Sequence, residues 1–86
     1  MDLLIKTNNA RESIQPDVDE RKYSLEKLQS LVGGYVEAVA IPGTTYLLLV
    51  NEDGRLKGLH INPAASSLAD QLIVGDAVVC SPDRLN

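Results

Sequence analysis

Seven polar residues within twelve consecutive positions form the densest group of side chains in this sequence that could bind a ligand. They are Asn51, Glu52, Asp53, Arg55, Lys57, His60 and Asn62. Arg55 and Lys57 are alternate residues, which share one face of a strand and could together bind an anionic group. Asn51 and Asn62 carry amide donors and acceptors that suit a base or a ribose. The segment is therefore either a recognition loop or a turn whose polar residues stabilise the turn conformation and are otherwise solvated.

Tyr35, Glu37 and Tyr46 form a second candidate group, near the starts of two strands that we expect to be neighbours. Tyr rings stack on bases, and a carboxylate accepts hydrogen bonds from amino or ribose hydroxyl groups. The alternative is that these side chains pack in the core or in an interface, with the hydroxyl groups of the tyrosines reaching solvent. Because a carboxylate among apolar strand residues needs water or a partner, we expect Glu37 near a sheet edge, paired or bound to a ligand.

The sequence contains no recognisable catalytic or metal-binding constellation. A pair formed by its one His, His60, and its one Cys, Cys80, would need adjacent strands and has no third group to orient it. Glu52, Asp53 and the later aspartates lack the spacing of a calcium loop or an acid/base pair. We predict a non-catalytic protein without metal or cofactor, with His60 at the surface and Cys80 packed as a small apolar residue.

A β-hairpin over residues 46–57 is predicted to position the polar segment. The apolar run 46–50 enters a turn at 51–54, and the chain returns through 55–57. Asp-Gly between apolar flanks is a strong hairpin signal, because Gly54 can adopt the positive φ of a tight turn. The run 46–50 is apolar at every position, which predicts an inner strand covered on both faces.

Two short helices and four further strands complete the prediction. Ser24 can cap the first helix, whose apolar residues follow helical spacing until Gly33 ends it. Asn62 and Pro63 are typical of the cap and first residue of a second helix. Helices this short are marginal alone, so both must dock on a sheet. The other strands are expected near 3–6, 11–14, 35–41 and 77–80.

These elements predict a single α+β domain over residues 1–86, a small, mostly antiparallel sheet of about five strands with two short helices packed on one face. Residues 1–15 are expected to form an N-terminal strand or hairpin, 16–23 a charged linker, 24–81 the helix–sheet core and 82–86 a polar tail. The sequence has no Phe or Trp, so association of copies would add needed buried surface. We expect a homo-oligomer.

The charge and hydropathy of the sequence limit the classes of partner that we expect this protein to bind. The formal net charge is −4 without a cluster of Lys or Arg, which argues against duplex nucleic acid but leaves a small anionic ligand open. A single Cys cannot form an internal disulfide. The start of the sequence lacks a signal-peptide core, and the longest uncharged stretch, 38–51, is interrupted by Pro42 and Gly43. We expect a cytoplasmic protein with no membrane partner.

Three segments carry a resemblance to a known family. They read Leu-Val-Gly-Gly-Tyr-Val-Glu at 31–37, Val-Asn-Glu-Asp-Gly-Arg-Leu-Lys-Gly-Leu-His-Ile-Asn-Pro at 50–63 and Ile-Val-Gly-Asp-Ala-Val-Val at 73–79. With its Gly-Gly-Tyr-x-Glu and Asn-Glu-x-Gly-x-x-Lys-Gly motifs, the chain resembles a family of small domains of unknown function found mostly in phages, plasmids and other mobile elements. The resemblance covers about residues 1–81 and implies an accessory protein of a mobile element, in the host cytoplasm if phage-encoded. We expect proline or a small residue at this position in many relatives, so the resemblance implies no role for His60.

The leading hypothesis is a non-catalytic phage or mobile-element protein that counters host defence. Its most specific form is a sponge that binds a nucleotide-derived immune signal at subunit interfaces. The candidate ligand-binding residues are Tyr35, Glu37, Asn51, Arg55, Lys57, His60 and Asn62. The alternative is a protein–protein adaptor or inhibitor that uses an acidic surface against a host enzyme. A hydrolase that depends on His60 or Glu37 comes third.

Overall fold

The computed structural model describes residues 2–85; Met1 and Asn86, at the ends of the predicted 1–15 and 82–86 segments, lie outside them. The described chain forms a five-stranded sheet with two α-helices, which confirms the predicted α+β class. In chain order the elements are β1 (Leu3–Ile5), β2 (Arg11–Ser13), α1 (Leu25–Val32), β3 (Val36–Ala40), β4 (Leu47–Asn51), α2 (Pro63–Ala69) and β5 (Ala77–Cys80), followed by a 3-10 helix at Pro82–Arg84.

The strand order is β2-β1-β5-β4-β3, and every neighbouring pair is antiparallel. The last strand, β5, therefore lies at the centre, and β2 and β3 form the two edges. Leu49 of β4 pairs with Ala38 on one side and with Val78 on the other. Leu48, Leu49 and Val50 are all buried, which confirms β4 as an inner strand covered on both faces.

The two helices cover opposite faces of the sheet, so the expectation that both lie on one face is wrong. Leu49 packs in a cluster with Leu28 and Val32 of α1, whereas Leu48 packs in a second cluster with Ala65 and Ala69 of α2. Successive strand residues point to opposite faces. We call these the α1 face and the α2 face. A strand that is apolar on both sides requires cover on both sides, and one helix supplies each cover.

Local capping fixes both helices where the sequence indicates. The hydroxyl of Ser24 accepts a hydrogen bond from the backbone N–H of Lys27 at 3.0 Å, and Gly33 ends α1 with a φ of 82°. Asn62 caps α2, and Pro63 occupies its first turn. These caps satisfy backbone groups that the ends of a helix leave unpaired.

The predicted hairpin at 46–57 does not form. Residues 52–58 fold into consecutive turns, in which the N–H of Lys57 donates to the carbonyl of Asp53 at 3.0 Å and that of Leu59 to the carbonyl of Gly54 at 3.0 Å. The reason is topological, because β4 already pairs with β3 and β5 and has no free edge for a returning strand. Arg55 and Lys57 therefore do not share a strand face.

The segment predicted as a charged linker packs against the segment predicted as a polar tail. Tyr23 is 1% exposed, and its hydroxyl donates to the carboxylate of Asp2 at 2.6 Å. The Nε atom of Arg84 lies 3.1 Å from the same carboxylate, and the carbonyl of Arg84 accepts from the N–H of Tyr23. These contacts hold the start of β1 and the final 3-10 helix together beside α1.

Candidate functional site

The structure distributes the seven candidate residues over separate places, because the hairpin that would have gathered them is absent. Glu37, Asn51 and Arg55 line one cleft, Tyr35 and Lys57 line a concavity beside the end of α1, His60 borders a third surface depression, and Asn62 is fully buried. A site that uses all seven at once is therefore not formed within one chain.

A cleft lined by both polar and apolar groups lies between the β3–β4 pair and the segments 52–56 and 71–74. We call it the edge cleft, because it adjoins β3, an edge strand. Its volume is about 320 Å³. Its polar residues are Glu37, Asn51, Glu52, Arg55 and Gln71, and its apolar ones include Val39, Val50, Leu56 and Leu72. Apolar walls with a few polar groups are the usual composition of a small-molecule site, and this volume lies at the small end of such sites.

Glu37 reaches the edge cleft because of its position in β3. It pairs with Val50, a residue of the α2 face, so its own side chain lies on that face. Glu37 is exposed on an edge strand, as expected of a carboxylate among apolar residues. Within residues 2–85 neither Glu37 nor Glu52 has a side-chain hydrogen bond or an ion pair. Both carboxylates can therefore accept hydrogen bonds from a ligand.

Arg55 stands at the opposite wall, in the turns of residues 52–58. One terminal nitrogen of its guanidinium lies 3.5 Å from the carbonyl of Leu72, a long hydrogen bond that leaves most of its donors exposed. Gly54 allows the turn to approach the 71–74 segment, because a Cβ there would lie 2.8 Å from a methyl group of Val74. The positive φ predicted for Gly54 is wrong, and close packing is its actual requirement.

The amides of Asn51 and Asn62 are used inside the fold. Asn51 donates to the carbonyl of Val32 at the end of α1 (3.1 Å) and accepts from the N–H of Asp53 (2.8 Å). Asn62 donates to the carbonyls of Ile5 and Gly75, both at 2.9 Å, while its oxygen caps α2. Both side chains are buried. The structure thus gives these two predicted ligand-binding residues positions that join segments of the backbone.

Lys57 and Tyr35 lie on the other side of the turns, next to the end of α1. The ammonium group of Lys57 donates to the carbonyl of Gly33 at 3.3 Å, where the helix dipole favours a cation. Tyr35 is 66% exposed. The expected grouping of Tyr35 with Tyr46 is wrong within one chain, because the antiparallel β3–β4 pair places them at opposite ends.

His60 is exposed and Cys80 is fully buried, as predicted. Burial raises the pKa of the Cys80 thiol to about 11, and the nearby carboxylate of Asp2 adds to this effect. The thiol is therefore protonated and inert near neutral pH. In the described part of the chain, no three His, Cys, Asp or Glu residues are grouped closely enough to hold a metal ion.

Two residues of the edge cleft are not among the residues that the sequence predicts to bind a ligand. Glu52 belongs to the predicted turn, and Gln71 belongs to a segment that no local pattern links to the turns. The link is the isolated antiparallel bridge between Ile61 and Val74, which brings residues 71–74 back beside the turns. Two single residues that pair far apart in sequence leave no periodic signal.

A family model described as a domain of unknown function (DUF3846) matches residues 3–85. The chain belongs to the DUF3846 family. This confirms the expected membership of a family of unknown function, while the two motifs and the association with mobile elements stay predictions. Comparisons with curated proteins and with solved structures found no match. In the described part of this DUF3846 domain, every helix is too short or too polar to cross a membrane.

Proposed function

We propose that this DUF3846 domain is a non-catalytic protein that binds a nucleotide-derived small molecule in the edge cleft. The observation that carries the proposal is the cleft itself, in which Glu37, Glu52 and Arg55 present charged groups beside apolar walls. Polar groups that keep free donors or acceptors at the rim of an apolar cleft are available to fix the orientation of a ligand.

The side chains of the edge cleft favour a ligand with several hydroxyl or amino donors and one anionic group. Carboxylates such as Glu37 and Glu52 only accept hydrogen bonds, so they suit a ribose diol or an exocyclic amine. The guanidinium of Arg55 matches a phosphate oxygen pair. The cleft has one guanidinium beside two carboxylates, so it can pair with one phosphate group and disfavours a triphosphate. The preferred ligand therefore carries one phosphate per cleft.

The positions of His60 and Cys80 favour a protein that binds its ligand over one that converts it chemically. His60 lines a different surface depression from the edge cleft. The Cys80 thiol is buried, and its pKa of about 11 keeps it protonated near neutral pH. Together with the resemblance to small proteins of phages and plasmids, this supports a sponge that sequesters a nucleotide-derived immune signal in the host cytoplasm.

Titration calorimetry and thermal shift with nucleoside monophosphates, cyclic dinucleotides and cyclic ADP-ribose isomers test the proposal. A ligand at one hundred times its Kd stabilises a protein by about 2.7 kcal/mol. For a domain of this size that corresponds to a Tm increase of about 10–20 °C. The Arg55→Gln variant should lose this shift, whereas Lys57→Gln, which removes the same charge outside the cleft, should keep it. Absence of binding by every probe, or loss confined to Lys57→Gln, contradicts the proposal.

Recovery of the ligand separates a sponge from an enzyme. The protein is incubated with the bound probe, heated to release it, and the probe is analysed by chromatography and mass spectrometry. A sponge returns the probe unchanged in stoichiometric amount. Conversion of the probe during incubation contradicts a non-catalytic role.

A second candidate, an inhibitor or adaptor for a host enzyme, is favoured by the ordered acidic segment before α1. The carboxylate of Asp17 accepts from the N–H and the hydroxyl of Ser24 at 2.7 and 2.5 Å, and Arg84 donates to the carbonyl of Glu20 at 3.1 Å. Exposed acidic groups with a fixed backbone suit a basic protein surface. A single host protein captured in stoichiometric, salt-sensitive amount, and weakened by Glu20→Gln, would favour this candidate.

A further inference from the structure

One edge of the sheet presents an unpaired ladder of backbone groups. At the ends of the β3–β4 pair, the carbonyl of Tyr35 accepts from the N–H of Glu52 at 2.8 Å, and the N–H of Ile41 donates to the carbonyl of Tyr46 at 3.3 Å. Hydrogen-bonded pairs alternate along an antiparallel ladder. Residues 35, 37, 39 and 41 therefore direct their backbone groups toward β4, and residues 36, 38 and 40 direct theirs outward.

This edge has fewer of the features that normally prevent sheets from joining. The strand Val36–Ala40 contains no Lys and no Pro, and its one charged residue, Glu37, directs its backbone groups toward β4. The residues whose backbone groups point outward are small and apolar. The opposite edge, β2, is three residues long, and all three are exposed and polar. There Glu12 pairs with Lys6 at 3.2 Å. Charged and very short edges resist association, so β2 is protected and β3 is open.

We propose that two copies of this chain associate through their β3 edges, antiparallel and centred on Ala38, to form a continuous ten-stranded sheet. In this register Ala38 faces Ala38 of the second copy, and Val36 faces Ala40 of the second copy. All three positions carry outward backbone groups, so each facing pair exchanges two hydrogen bonds. The interface thus closes with two-fold symmetry.

Neighbouring registers are worse for identifiable reasons. A register centred on residue 37 places Glu37 directly opposite its own copy, and like charges in that position are destabilising. A register centred on residue 39 places Val36 opposite Pro42, which has no N–H to donate. The register centred on Ala38 reduces both costs. Glu37 then faces Val39 of the second copy, so the two Glu37 side chains are diagonal and not directly opposite. Pro42 faces Gly34, and both residues lie outside the strand.

Exposed apolar side chains concentrate around the same edge. Of the eight large hydrophobic residues that are exposed among residues 2–85, four flank β3 or its ends, namely Tyr35, Tyr46, Leu56 and Leu72. Burying them would add apolar surface that the strand pairing by itself does not supply. A core without Phe or Trp, in a chain of 86 residues, gains most from such added burial.

The symmetric register also joins groups that one chain keeps apart. Tyr35 faces Ile41 of the second copy, and the N–H of Ile41 donates to the carbonyl of Tyr46 of that copy. The two tyrosines therefore come closer together across the interface than within one chain. Glu37 and Val39, which line the edge cleft, meet across the axis. The two clefts therefore adjoin, but the association itself does not require a ligand.

Disulfide trapping tests both the interface and its register. Facing residues of a hydrogen-bonded antiparallel pair have Cα atoms about 5.5 Å apart, within disulfide range. Ala38→Cys should therefore link two copies on mild oxidation. In Ala40→Cys the two introduced thiols lie four strand residues apart, about 14 Å, so this matched variant should stay unlinked. Equal linkage of both variants, or linkage of Ala40→Cys alone, overturns the proposal.

Analytical ultracentrifugation in the absence of ligand tests the equilibrium between monomer and dimer. The unmodified chain should show a concentration-dependent dimer, and Ala38→Lys should raise its dissociation constant about fivefold or more, because two like charges then face each other. Ala10→Lys, the same substitution at an exposed turn next to the opposite edge, should leave the dissociation constant unchanged. A monomer at every concentration, or an equal effect of both lysines, refutes the dimer independently of any ligand result.

Discussion

Replacing Asn62 by Ala should destabilise the protein far more than replacing any surface amide. The Asn62 side chain is fully buried and makes three hydrogen bonds that connect α2 with the backbone of β1 and of the loop before β5. Its Nδ2 donates to the carbonyls of Ile5 and Gly75, and its Oδ1 accepts from the N–H of Ala65. Removing it leaves three backbone groups without their partner.

The expected cost follows from these three bonds. Each neutral hydrogen bond to a buried carbonyl contributes about 1 kcal/mol net, and loss of the helix cap costs about 1 kcal/mol more. The sum, about 3 kcal/mol, would lower the Tm by about 12–24 °C for a domain of this size. That is a large share of the stability of a small domain.

Urea unfolding followed by circular dichroism measures the effect. Asn8→Ala is the matched control, because Asn8 caps an exposed turn through one hydrogen bond to the N–H of Ala10. We expect a loss below about 1 kcal/mol for the control. A loss below 1 kcal/mol for Asn62→Ala would refute a structural role for the amide and reopen its assignment to ligand binding.

Three further predictions concern the termini, the core and the end of α1. Burial raises the pKa of Cys80 from 9.0 to about 11 and also raises the pKa of Tyr23, so the fold disfavours both ionised forms. The unfolding free energy should therefore be steady between neutral pH and pH 9 and fall between about pH 9 and 11; a urea midpoint that stays level across the alkaline window would contradict this. Arg84→Ala leaves the buried carboxylate of Asp2 without its cation and should cost about 2 kcal/mol in urea unfolding; an unchanged midpoint would show that the ion pair does not stabilise the fold. A methyl group at position 33 has space, but Gly33→Ala must keep a φ of 82°, so the free energy of unfolding should fall by about 1 kcal/mol. An unchanged Tm would argue against that backbone constraint.

Local signals predicted most of the fold. Ser24, Gly33 and the Asn62-Pro63 pair mark helix ends by hydrogen-bond chemistry and backbone conformation that depend on a few neighbouring residues. The uninterrupted apolar run of β4 likewise predicts burial on both sides. These interactions are encoded within one or two turns of chain, so the sequence alone could reveal them.

Long-range pairing explains what the sequence did not predict. Asp53-Gly54 has the composition of a hairpin turn, but β5 occupies the edge of β4 that a returning strand would need. The pairing of β4 with β5 joins residues about thirty positions apart, which no local pattern reports. The same pairing leaves Arg55 on a turn beside the edge cleft rather than on a strand with Lys57.

The most direct test of the edge cleft as a binding site is an NMR titration of the ¹⁵N-labelled protein. Adenosine monophosphate and a cyclic dinucleotide serve as probes, and amide shifts are followed to saturation. We predict the largest changes in β3, in residues 52–56 and in residues 71–74, which surround the cleft. An unchanged spectrum with both probes, or changes centred on Tyr35 and Lys57, would contradict the assignment.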